Sequence, residues 1–238
     1  MPTSLKDRSV LVVGRGSGIA RAIADAALAE GGRVVAAGRT VTGLEEAYRD
    51  TGVTVRHVDL TDEASIAALA EDLGAVDHIV SAASARARGL VGELSPEAIV
   101  LSFHTKVVGP IMLAKHFAPR MPADGSFVLL SGVAALEPDP DFVGVAATNG
   151  AVNTITRSLA VELAPIRVNA ISPGTIDTGA WDALGDRKKS DFFARLSAAN
   201  PAGRIGTTED VAQAAVFAMT NTFMTGVSLP VDGGQPLV

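Results

Sequence analysis

Residues 14–20, GRGSGIA, follow the apolar run SVLVVG and precede RAIADAALAE, whose apolar residues recur at helical spacing. A strand, a glycine turn and a helix in that order make a phosphate cradle. Glycines let backbone come close to a ligand, and the first N–H groups of the helix present the positive end of its dipole. The spacing is not G-x-G-x-x-G: Ile19 follows Gly18, and Ala20 is the small residue that lets helix and strand pack closely. Gly14, Arg15, Gly16, Ser17, Gly18 and Ile19 are the candidate phosphate contacts, although the same residues also suit a plain strand-to-helix turn. The next strand ends in AAGRT, where a dinucleotide lacking a 2′-phosphate usually meets an acidic side chain. Here Gly38 leaves room and Arg39 offers a planar, permanently charged donor, with Arg15 near enough in the pattern to approach the same group. NADP(H) is therefore expected in preference to NAD(H), with solvated surface arginines as the alternative reading.

Groups able to move a proton are few. The chain has no cysteine, four histidines and one tyrosine, Tyr48, so thiol chemistry and a metal cluster are poorly supported. Lys106 lies in a helical stretch flanked by Phe103, Val107, Val108 and Ile111, which predicts burial. A desolvated lysine loses basicity, as a lysine acid or base requires; a stem snorkelling over apolar surface is the alternative. Pro110 has no N–H to give the carbonyl of residue 106, so a kink is expected there, with that carbonyl left to water, while His104 faces elsewhere. Ser131 closes a strand and donates either to a ligand or to a loop carbonyl. Thr148 packs or bonds back to its own helix, and Trp181 belongs either to a substrate lid or to the core.

The elements that must position these residues alternate. Strands are expected at 9–14, 33–38, 53–58, 76–81, 126–132, 166–172 and 227–232, with helices near 17–30, 62–73, 97–118, 144–164 and 208–220. Residues 84–95, 136–142 and 184–191 read as loops. This is an α/β pattern: a single-domain Rossmann-type, doubly wound parallel sheet of about seven strands with helices on both faces, spanning 1–238. With 47% apolar residues the chain can fill a complete core. A net charge of −6, with no basic block longer than 187–189, argues against nucleic acid or an anionic membrane as partner. The start MPTSLKDRSV lacks the layout of a signal peptide, and no uninterrupted apolar run approaches the ~18 residues of a membrane span. A cytoplasmic location is expected.

Over nearly its whole length the sequence resembles the short-chain dehydrogenase/reductase family, in VVGRGSGIA (12–20), HVDLTD (57–62), IVSAAS (79–84), ITRSLAVELAPIRVNAISPG (155–174) and TGVSLPVDGG (225–234). The resemblance implies Asp59, with Leu60 beside it, at the adenine, Ala82 and Ala83 at the adenosine ribose, and Pro173, Gly174, Ile176 and Thr178 at the nicotinamide. It also implies a small-molecule substrate and a homodimer or homotetramer. The departures lie where the family does its chemistry. Its Tyr-x-x-x-Lys motif falls on Val145 and Asn149, its serine on Gly132 beside Ser131, and its helix asparagine on Lys106. The lysine and asparagine positions look exchanged. Two readings follow: hydride transfer to or from a small carbonyl or alcohol compound at a rearranged site of Lys106, Ser131 and Asn149, or a non-catalytic NADP(H)-binding sensor or inactive subunit.

Overall fold

The structure, a computed structural model, describes residues 4–179 and 181–238. Of the N-terminal stretch examined for a leader, Met1, Pro2 and Thr3 lie outside the described residues, as does Ala180 of the segment around Trp181. In chain order the strands are β1 (Ser9–Val13), β2 (Arg33–Gly38), β3 (Thr54–His57), β4 (His78–Ser81), β5 (Ser126–Leu130), β6 (Arg167–Pro173), β7 (Ile176–Asp177), β8 (Gly206–Thr207) and β9 (Ser228–Val231). The helices are α1 (Gly18–Ala29), α2 (Val41–Ala47), α3 (Glu63–Leu73), α4 (Pro96–Phe103), α5 (Gly109–Phe117), α6 (Val143–Glu162), α7 (Asp186–Ala199) and α8 (Thr208–Thr220).

Seven strands pair in parallel in the order β3-β2-β1-β4-β5-β6-β9, and β7 with β8 forms a separate two-residue ladder. Alternation along each strand divides the core into two layers. Val10 and Val12 of β1 pack with Ile23 and Ala27 of α1 and Ala215 of α8, whereas Leu11 and Val13 face Ile66 of α3, Leu113 and Phe117 of α5 and Val152 of α6. Strands buried on both faces explain why they read as continuous apolar runs. The order reverses between β1 and β4, and in such sheets the crevice at the carboxyl ends of the two diverging strands receives ligands.

Three expectations need correction. Residues 184–191, expected as a loop because they are charged, run into α7; none of the described residues of that helix is fully buried, so it has no wide apolar stripe to reveal it. The short α2 was likewise unforeseen, with only Leu44 buried. Third, residues Pro96–Arg120 form one continuous helical stretch of 25 residues, long and apolar enough by length and composition to cross a membrane. The expectation counted uninterrupted apolar runs, and this stretch is interrupted by isolated polar residues. In the fold it flanks the sheet, with Leu113, Ala114 and Phe117 buried in the core.

That stretch begins conventionally, with Ser95 Oγ accepting from the Ala98 N–H and Pro96 in the first turn. Ahead of Pro110 it does not simply kink. His104–Val108 widen into a π turn in which the Gly109 N–H donates to the His104 carbonyl. The helix thereby carries an extra residue around its circumference at Lys106.

Candidate active site

The crevice beside the β1–β4 switch holds a cavity of about 680 Å³, within the range of small-molecule sites. Its wall contains twelve of the fifteen residues expected to hold a cofactor: Gly14, Arg15, Gly16, Ser17, Gly18, Ile19, Arg39, Asp59, Leu60, Ala82, Ala83 and Thr178. Glycine is sterically required at several positions there. A side chain at Gly14 would place its Cβ 2.7 Å from Ala20 Cβ, the close helix-to-strand approach anticipated from the sequence, and Gly18 has a φ of +58° with Thr178 packed against it. Ser17 stands extended at the start of α1 and makes no side-chain cap, so the helix N-terminus remains available to a phosphate.

Arg15 and Arg39 are exposed at the cavity edge, and among the described residues neither forms a salt bridge. Asp59 Oδ1 accepts from both the N–H (2.9 Å) and the hydroxyl (2.8 Å) of Thr61. Partial burial opposes its ionisation, but these two bonds and the charge of Arg39 hold its pKa below the usual carboxylate range. Asp62 caps α3. Uncapped N–H groups, close glycine backbone, two unpaired arginines and one acceptor fit a phosphorylated dinucleotide. The other three expected contacts lie apart from this wall. Pro173 ends β6, Gly174 packs against Asp232, and Ile176 lines a smaller cavity with Asn200 and Gly206.

The second cluster is made of side chains bonded to one another. Lys106 is 9% exposed, and its Nζ donates to the Ser131 carbonyl (3.0 Å) and to Asn149 Oδ1. Asn149 Nδ2 donates to the Gly132 carbonyl (3.2 Å), and Ser131 Oγ donates to the Asn149 carbonyl (3.0 Å). Lys106, Ser131 and Asn149 are thus brought together from a helix, a strand end and a second helix, as the sequence led one to expect. The serine's proton, however, is directed to backbone. Burial, and then the neighbouring charge of Arg86, lower the Lys106 pKa to about 7. An ammonium has three hydrogens, and two have acceptors here. Gly132 has an extended backbone, and a Cβ there would stand 2.8 Å from Asn149 Nδ2, so the absence of a side chain at 132 and the amide at 149 fit each other.

The remaining expectations resolve individually. Val145 is buried near the start of α6, and Thr148 Oγ1 donates to the carbonyls of Gly144 (3.2 Å) and Val145 (3.0 Å) in its own helix. His104 is exposed, away from Lys106. Tyr48 is far from any role as proton donor: it lies in the core beneath Arg21, and burial pushes its pKa up to about 12. Trp181 donates its indole N–H to the Ile176 carbonyl (3.1 Å) and packs on Phe192, with ring centroids 4.9 Å apart. Arg86 and Thr105, which also line the cavity, were not anticipated. Arg86 occupies a loop immediately after a crevice strand, and that placement in the sequence was the available signal.

A parallel sheet with its switch-point crevice and phosphate cradle defines a nucleotide-binding α/β protein. Residues 13–235 match the family described as enoyl-(acyl carrier protein) reductase. The chain is 34% identical to L-xylulose reductase of Bos taurus, with 98% of each covered. Its fold superposes on the MalC reductase/Diels–Alderase of Malbranchea aurantiaca with a TM-score of 0.92 at 29% identity, covering both chains completely. It superposes on a small-chain dehydrogenase in complex with NADPH with a TM-score of 0.83 at 31% identity, covering 98% of this chain and all of the other. The chain belongs to the short-chain dehydrogenase/reductase family. A nicotinamide dinucleotide is the cofactor that this family and the cradle imply.

Proposed function

We propose that the chain is an NADP(H)-dependent oxidoreductase that transfers hydride to or from a small carbonyl or alcohol compound, with Lys106 as the group that holds and moves the proton. The bound dinucleotide supplies or takes the hydride. Glycine backbone and the α1 N-terminus would hold its phosphates, Arg39 and Arg15 its 2′-phosphate, and Asp59 its adenine. Preference for NADP(H) rests on those two unpaired arginines at the strand end where an acidic side chain would suit NAD(H).

The observation that carries the reading is the Lys106 ammonium. Its two bonds to the Ser131 carbonyl and Asn149 Oδ1 fix its position, leaving one N–H to meet the oxygen of a carbonyl substrate. A carbonyl oxygen gaining negative charge in a water-poor site needs such a donor, and one with a pKa near neutrality gives up a proton effectively. Ser131 acts as a positioning residue: its hydroxyl holds the Asn149 backbone, and its carbonyl holds the lysine. Val145 contributes no proton. NADPH oxidation followed across a broad panel of aldehydes and ketones tests the reading; tight NADPH binding with no oxidation by any of them would favour a cofactor sensor instead.

The working form is proposed to be a homodimer or homotetramer. Val100 (55% exposed), Leu101 and Val108 stand out from the 96–108 stretch, and Val161 (82% exposed) from α6, an apolar face on the two long helices that a second copy would cover. Light scattering at micromolar concentration should return a multiple of 24.3 kDa.

A further inference from the structure

The loop after β4 reads SARAR and puts two arginines at the crevice. Arg88 is held against aromatic faces, 4.3 Å from the Phe142 ring centroid and 5.9 Å from that of Trp181. Arg86 is different. It lines the cavity and, among the described residues, has neither a hydrogen bond nor an ion pair. Its side chain is exposed, yet neighbouring protein atoms partly desolvate it, and this, followed by the charges of Arg88 and Arg15, lowers its pKa from the ordinary guanidinium value. It stays charged, because a guanidinium does not lose its proton in proteins. The charged groups that act on it, Arg88 and Arg15, are cationic, and it acts in turn on the cationic Lys106. Several acids of the surrounding segments are engaged elsewhere, while Asp139 and Asp141, in the loop whose Asp141 carbonyl accepts from the Gly89 N–H, form no ion pair among the described residues. Asp59 binds Thr61, Asp177 and Asp182 bind Lys189, and Glu137 accepts from Gln235.

A protein of net charge −6 that gathers uncompensated cations at one spot has left an electrostatic position for an anion. Taking up the reading above, in which Lys106 meets the substrate carbonyl, we propose that Arg86 is a specificity-determining residue that binds a carboxylate of the substrate, so that the preferred substrates are small oxo acids or the matching hydroxy acids. The cofactor's phosphates already have the glycine loop, α1 and Arg15. Arg86 lines the same cavity and is close enough to Lys106 for its charge to act on it, so a carboxylate a few bonds from the reacting carbonyl would reach it. The planar guanidinium fork takes a carboxylate through two parallel bonds. A bound carboxylate would also offset the charge with which Arg86 discourages protonation of Lys106, so the acid form of the lysine would be most populated when the right substrate is present.

Calorimetric titration, with and without NADP+, of pyruvate, acetoacetate and levulinate against their methyl esters tests this, the chain-length series allowing for the spacing between carboxylate and carbonyl. At least one acid should bind tenfold or more tightly than its ester. Arg86→Gln should abolish that difference, Arg86→Lys should keep part of it, and both should leave NADP+ affinity within about twofold of the parent. Equal binding of acid and ester, or no binding of any acid, overturns the inference. So does a loss of NADP+ affinity in Arg86→Gln as large as the loss for the acid, which would place the arginine on a cofactor phosphate. NADPH oxidation by neutral ketones without acid preference would sink this inference while keeping the proposed reaction, and acids that bind selectively but are never turned over would do the reverse.

Discussion

The cavity at the phosphate end and the proposed chemical end around Lys106 are built on different plans. At the phosphate end the contacts come from backbone and from side chains left unpaired: close glycines, an uncapped helix start, and Arg15 and Arg39 at the rim. At the proposed chemical end nearly every polar group is already satisfied from within, with Lys106, Ser131, Gly132 and Asn149 bonded in a closed set. The first plan waits for a ligand to complete it. The second is complete beforehand, apart from one N–H of Lys106. Backbone cradles tolerate many side chains around them, whereas a closed set of side chains changes only when several members change together. That contrast fits the expectation, read from the sequence, of a chain that keeps the family's nucleotide segments and departs from its pattern around Lys106 and Asn149.

The sharpest way to separate the two ends is Lys106→Met, which keeps the apolar stem and removes the ammonium. It should lower kcat by roughly 10²–10⁴ with NADPH affinity unchanged, as steady-state kinetics and calorimetry would show. A parallel fall in both would mean the ends are not separable. The same variant reports on burial. With a folded pKa near 7 against an ordinary 10.5, the unfolded chain holds more protons in that window, so the cost of burying the charge is fully present below about 7 and disappears as pH rises to 10.5. Wild type should therefore gain stability relative to Lys106→Met between pH 7 and 10 in urea unfolding, and a constant difference would contradict a buried charge. At the other end, Arg39→Ala should remove most of the preference for NADPH over NADH, on the order of 1.5–3 kcal/mol in calorimetry, without touching kcat. Smallest is the fit of Gly132 to Asn149. Gly132→Ser should destabilise by about 1–3 kcal/mol, and combination with Asn149→Ala should recover part of that loss in a double-mutant cycle. Strict additivity would deny the steric link.

The phosphate end was legible in the sequence because its determinants are local. A glycine loop, the strand before it and the helix after it are contiguous, and twelve of the expected contacts line one cavity. Parallel strands buried on both faces announced themselves as apolar runs, and their ends were placed within two residues. The chemical end was legible only in part. Lys106 and Asn149 are 43 residues apart, and their pairing was visible through the exchange of two family positions; the lysine's other acceptor is a backbone carbonyl, which leaves no trace in residue type. Ser131 had two equivalent partners on paper, and the fold chose the backbone one. Arg86 escaped notice because the loop it shares with Arg88 has no period or motif, and its place just after a crevice strand was a weak signal. Helix α7 escaped because its half-buried Phe192, Phe193 and Leu196 meet Trp181 and solvent rather than the main core.

The π turn at His104–Val108 has a consequence for how such a site can be gained or lost. A turn of this kind absorbs one residue more than a regular α-helix, in which neighbouring side chains are turned about 100° from one another. Deleting Thr105 would let the turn close into an ordinary helix and would leave both flanking segments with their own composition intact, but Lys106 would swing off the bearing on which it meets Asn149. The proposed proton donor thus depends on chain length as much as on residue identity, and a three-base deletion that substitutes no other amino acid is expected to cost the proposed activity as much as removal of the lysine itself.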